Sequence, residues 1–143
     1  MVSMDGGIAN AIGREWLHGV EYDPEIVDAP ILHLYEDFDP EIVRTDFTLL
    51  RSLRRADPIV IEVDELHHVH FTSLGMVSGL IPGLRVGPPS PLVVEKAAAV
   101  HAATLRFLDG WVMGEGPDAF RALIESSSFL HRVEIGEHAD PNR

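Results

Sequence analysis

The chain has 143 residues, 45% of them hydrophobic and 24% charged, enough for one ordinary core and a single domain spanning residues 1–143. Its formal net charge of −12, from 11 basic and 23 acidic residues, repels a phosphate backbone, so nucleic acid is not an expected partner. No apolar run approaches the roughly 20 residues that cross a bilayer, and the first residues lack the basic and long apolar regions of a secretory leader. A soluble chain without a membrane span, cytoplasmic by default, is expected. The absence of cysteine excludes disulfides, thiol nucleophiles and thiolate metal sites, so His, Asp, Glu and Ser must carry any chemistry.

In chain order, residues 1–4 are short and apolar and stop at Asp5-Gly6-Gly7, a turn signal at a strand end. Residues 8–27 show no regular pattern, and Asp23-Pro24 breaks whatever precedes it. Residues 30–35 are apolar on both faces except for His33, as a strand covered on both sides requires. Glu36, Asp37, Asp39 and Glu41 form an acidic turn favourable to the start of a helix over 41–56. That helix places Val43, Phe47 and Leu50 on one line and Ile42, Leu49 and Leu53 on the next.

Asp57-Pro58 ends it, and Ile59-Val60-Ile61-Glu62-Val63 is β-branched enough for the next buried strand. Strand, helix and strand within about 35 residues form a βαβ unit with parallel strands. Residues 71–80 allow a short helix, and 82–91 form a Pro/Gly-rich loop. The longest helix is expected over 92–113, its stripe running through Val93, Ala97, Val100, Thr104, Phe107, Leu108 and Trp111. A further short helix over 117–126 and a polar tail over 138–143 complete the chain. The fold class is therefore α/β: about three parallel strands with covering helices, residues 1–116 forming the core and 117–143 a C-terminal helix and tail. Both sheet edges are expected to be open unless something pairs with them.

The segment after the third strand, Asp64-Glu65-Leu66-His67-His68-Val69-His70-Phe71-Thr72, concentrates three imidazoles at the carboxyl rim of the sheet, where open parallel sheets place ligands and chemistry. Asp5 follows the first strand, so parallel pairing brings it to the same rim as His68. A carboxylate beside a histidine is the arrangement that holds an imidazole in the tautomer that takes a serine proton.

On these residues the chain resembles the C-terminal part of α/β-hydrolases of the platelet-activating factor acetylhydrolase and dienelactone hydrolase-like group. The matching pieces are Val2-Ser3-Met4-Asp5-Gly6-Gly7, Ala29-Pro30-Ile31-Leu32-His33-Leu34-Tyr35, His68-Val69-His70-Phe71-Thr72 and Thr104-Leu105-Arg106-Phe107-Leu108-Asp109. The resemblance implies a partial α/β-hydrolase sheet, with Asp5 as orienting acid and His68, three residues before Phe71, as general base on a small ester. Asp37 or Asp39 is the alternative acid, because most α/β-hydrolases place it after the strand corresponding to 30–35. The nucleophile is missing: no Gly-x-Ser-x-Gly occurs, and Gly75-Met76-Val77-Ser78-Gly79 has the wrong spacing. The chain is therefore expected to be inactive alone and to need upstream sequence, through a truncated gene or an internal start.

Blander readings stand beside this one. His68 could cap a strand–helix junction, and Asp5 could cap a short helix over 8–12. The chain could be a non-catalytic binding module that dimerises through an open sheet edge. No cofactor is expected, but His67 and His70 with Asp64 or Glu65 offer a metal-site alternative.

Overall fold

The computed structural model describes residues 1–5, 7–11, 13, 15, 23–36, 45–77, 81, 83 and 92–135. Asp37 and Asp39, residues 41–44 of the expected helix, most of the 82–91 loop and the 138–143 tail lie outside the described residues.

Three strands form where β-branched and aliphatic residues predominate: β1 (Val2–Met4), β2 (Ile31–Tyr35) and β3 (Pro58–Val63). They pair in parallel and in sequence order, Val2 beside Leu32 and Leu32 beside Ile59. A fourth strand, β4 (Leu130–Val133), adds to the far side of β3 in the antiparallel sense, with Val63 beside Leu130. The sheet is thus mixed and four-stranded: the three expected parallel strands are present, the count of about three is corrected to four by the antiparallel β4, and among the described residues β1 and β4 form the sheet's edges. β4 closes the edge of the most apolar strand and turns the exposed His131 and Arg132 outward, side chains suited to an edge. The α/β class holds.

Both faces of the sheet are covered, which explains why β2 is buried at every position. One face presents Leu32, Leu34, Ile59, Ile61 and Val63 to Leu66, Phe71, Val100, Ala103, Phe107, Phe120 and Leu130. The other presents Ile31, Tyr35 and Val60 to Ala9, Leu50 and Leu53.

The covering helix of the second face is shorter than its periodicity suggests. Within the described residues it is α1 (Thr48–Ser52), whereas Thr45 bridges to Asn10 and the Asp46 carboxylate accepts the Thr48 N–H at 2.9 Å. Asp46, two residues before Thr48, competes locally for helical hydrogen bonding, and the helix begins only at Thr48, a side-chain effect that apolar periodicity does not register. At the other end Leu53 leaves the helix with ψ 83° to bury its side chain.

On the first face α2 (Ser73–Val77) is followed by α3 (Val93–Phe107), which continues as a π-helical turn over Leu108–Val112. The expected stripe is the buried one at Ala97, Val100 and Phe107. Next, α4 (Asp118–Ser126) falls where the short C-terminal helix was expected. The Ser127 hydroxyl then accepts the N–H groups of Phe129 and Leu130 at 3.1 and 3.2 Å and turns the chain into β4. No helix among the described residues is long and apolar enough to cross a membrane.

His33 is the polar intruder in β2. It is 1% exposed, its Nδ1 lies 3.1 Å from the Ser3 hydroxyl one strand away, its ring stacks on Tyr35, and Nε2 has no hydrogen-bond partner among the described residues. Burial lowers its pKa from 6.5 to about 4. Between those values the unfolded chain binds a proton that the folded chain refuses. The stabilisation is therefore fully present above about pH 6.5 and is lost as pH falls towards 4, by up to roughly 3 kcal/mol. In urea titrations, His33→Leu is expected to flatten the decline in stability between pH 7 and pH 4.5. An unchanged slope would assign that decline to other groups.

Candidate functional site: a carboxylate–imidazole pair at the sheet rim

Asp5 comes directly off the end of β1. Its N–H continues the parallel ladder by donating to the Leu34 carbonyl at 2.6 Å, while its φ of 45° turns the chain sharply away. Aspartate is among the few side-chain-bearing residues that visit this left-handed region readily. The turn buries the carboxyl, leaving Asp5 5% exposed.

His68 reaches the same rim from β3, on the far side of β2 from β1. β3 ends at Val63, the Asp64-Glu65 turn follows, Leu66 and His67 are buried, and a 3-10 turn begins at His68 and runs to Phe71. Phe71 is 4% exposed within the first-face cluster and anchors the end of that turn. Gly75 in α2 lies so close that a Cβ there would collide with the His70 carbonyl, so α2 presses directly on the turn.

The result is a contact between Asp5 Oδ2 and His68 Nδ1 at 2.6 Å, across 63 residues of sequence. The Asp5 side chain is 3% exposed and that of His68 is 66% exposed, so the acid is sheltered and the ring reaches solvent. A carboxylate can only accept, so the neutral ring donates from Nδ1 and carries its lone pair on Nε2. The Asp5 carboxylate is thus engaged by His68, which goes beyond capping. The alternative acids Asp37 and Asp39 lie outside the described residues.

The neighbouring histidines do not join the pair. His67 and His70 are both buried, their rings meet edge to face at 5.5 Å, and His70 Nδ1 accepts the His67 N–H at 3.3 Å. Asp64 Oδ2 lies 3.0 Å from His131 Nε2, and Glu65 Oε2 lies 3.1 Å from Lys96 Nζ. Among the described residues no group of three or more His, Cys, Asp or Glu side chains could hold a metal ion, which leaves the His67–His70–carboxylate alternative without a ligand set there. Nor does any hydroxyl among the described residues hydrogen-bond to His68, and the Ser3 hydroxyl is already engaged by His33.

Two contributors to the rim escape a sequence reading. His131 belongs to a strand too short to show a period. Lys96 did carry a signal, since it occupies the same helical stripe as Val100, Ala103 and Phe107, where a charge has no packing reason to stand.

The fold and the rim together define an α/β chain with a buried carboxylate that orients a solvent-facing imidazole. In comparisons with known proteins, no family model, no curated protein and no solved structure matches the chain.

Proposed function

We propose that this chain is the C-terminal portion of a serine-type α/β-hydrolase, similar to the platelet-activating factor acetylhydrolase and dienelactone hydrolase-like group, acting on a small carboxylic ester. The single observation that carries the proposal is the 2.6 Å contact between His68 Nδ1 and Asp5 Oδ2 at the carboxyl ends of two parallel strands. In this reading Nε2 of His68 takes the proton of a serine hydroxyl as that oxygen attacks the ester carbonyl, and Asp5 stabilises the imidazolium so formed. The same proton then passes to the departing alkoxide, and the acyl-serine is hydrolysed by a water that His68 deprotonates in turn. No cofactor is required. The nucleophile comes from outside these 143 residues, with the donors for the developing oxyanion.

The test is made on the protein with its encoded upstream sequence. A fluorophosphonate probe is expected to label one serine within an in-frame Gly-x-Ser-x-Gly, and to do so more slowly when His68 is replaced by Gln. An upstream region that encodes no such motif, or labelling indifferent to His68, sinks the proposal.

A second reading, a non-catalytic dimerisation module, draws support from the exposed Leu105, Val112 and Met113 along the outer side of α3 and its continuation, at 61%, 63% and 73% exposure. Light scattering during size exclusion at low concentration separates the readings: a folded monomer removes the second.

A further inference from the structure

The link from β3 to His68 carries two local costs that meet at one bond. The first is Lys96 on α3, 3% exposed, facing the Phe129 ring with Nζ 5.6 Å from its centroid. A buried ammonium is unfavourable without an anion, and at this stripe position an aliphatic side chain would pack as well. The second is Glu65, which holds a φ of 48° in the Asp64-Glu65 turn, where glycine would sit without strain. Each is accounted for by the other, because Lys96 Nζ lies 3.1 Å from Glu65 Oε2.

From Glu65 the chain reaches His68 in three residues, through Leu66 at 0% and His67 at 8% exposure, so little slack separates the turn from the ring. The opposite side of the turn is tied to the β4 region, where the Asp64 N–H donates to the Phe129 carbonyl at 3.1 Å and the Asp64 carboxylate meets His131. We propose that Lys96 is a positioning residue which, through Glu65, holds the left-handed turn that aims the His68 ring at Asp5. Hydrogen bonds weaken steeply with misalignment, and a general base must sit within hydrogen-bonding reach of the proton it takes. A turn free to relax out of its left-handed state would cost the dyad its geometry without unfolding the domain. This matters for chemistry only under the acyl-transfer reading of Asp5 and His68, but the measurement below reads the hydrogen bond and not turnover.

Proton NMR of the chain at low temperature should show the far-downfield resonance of an imidazole N–H donating to a carboxylate, assigned to His68 by its loss in Asp5→Asn. In Lys96→Met that resonance is expected to vanish, or its proton to exchange with water at least about tenfold faster, while Lys96→Arg retains it. Glu65→Ala removes the carboxylate but keeps a side chain at the φ of 48°, so it should lose the resonance as Lys96→Met does, whereas Glu65→Gly, which adopts the turn without strain and needs no latch, should retain it. Retention of the wild-type signal and exchange rate in both Lys96→Met and Glu65→Ala overturns the latch, as does the absence of any such resonance in the wild-type chain. If the resonance responds as expected while no upstream serine is labelled by the probe, the acyl-transfer reading fails and the latch stands.

Discussion

Under the proposed acyl-transfer reading, Asp5→Asn is expected to lower kcat for ester hydrolysis, measured on the protein with its upstream sequence, by about 10³- to 10⁴-fold. The reason lies in the donor and acceptor inventory. Asp5 Oδ2 accepts the Nδ1 proton of His68 at 2.6 Å, and a carboxylate offers nothing else. An asparagine can present its NH₂ group instead, which favours the tautomer with its lone pair on Nδ1 and its proton on Nε2, the nitrogen needed as base. Asparagine also tolerates the left-handed φ of 45° at this position, so the loss falls on the rate and not on the fold; circular dichroism of the variant checks this. His68→Gln removes the base itself, and the double variant should be no slower than the worse single one, because residues that act as a unit do not add. A rate within twofold of wild type for Asp5→Asn would refute the assignment. A collapse produced instead by Asp37→Asn or Asp39→Asn would move the acid and leave the fold untouched.

How much of this could be read from the chain depended on whether the signal was local. β2 and β3 are mostly aliphatic and buried at nearly every position, and α3 repeats its apolar residues over four turns, so period and composition suffice for them. β4 is four residues, Leu130-His131-Arg132-Val133, of which only Leu130 is buried; such a segment is a strand only because β3 offers an edge, and that is a tertiary fact. The early start expected for the helix near 41–56 failed over residues 45–47 for a related reason: one Asp46 oxygen decides where the helix begins, and apolar spacing does not register it. At the rim, parallel pairing sufficed to bring Asp5 and His68 to the same edge. Their contact also needed the left-handed turn at Asp5 and the buried Leu66 and Phe71 on either side of His68, none of which has a sequence period. Lys96 was visible as a charge in an apolar stripe, but its partner lies 31 residues away.

The largest loss of stability is expected at Phe107. It is fully buried at the point where α3 passes into the π-helical turn, its ring stacked on Trp111 at 5.1 Å and edge-on to Phe120 at 6.2 Å; Trp111 and Phe120 meet edge to face at 5.5 Å. These three rings join α3 to α4, and α4 leads within a few residues to β4, which covers the edge of β3. Phe107→Ala removes the member common to both α3 contacts and leaves a void that neither the sheet nor the helices can close without shifting. A buried phenylalanine truncated to alanine costs about 3–5 kcal/mol, against a total of about 5–15 kcal/mol for a domain of this kind. Urea unfolding followed by circular dichroism should therefore show the midpoint fall steeply, and β4 amides should exchange earlier than those of β2, because β4 depends on the rings for its approach to β3. Leu105→Ala, two residues away but 61% exposed, should change stability by no more than about 0.5 kcal/mol. Equal effects of the two substitutions, or a Phe107→Ala cost below about 1.5 kcal/mol, would mean that the ring cluster does not hold the helices to the sheet and that β4 is anchored by its hydrogen bonds to β3 alone.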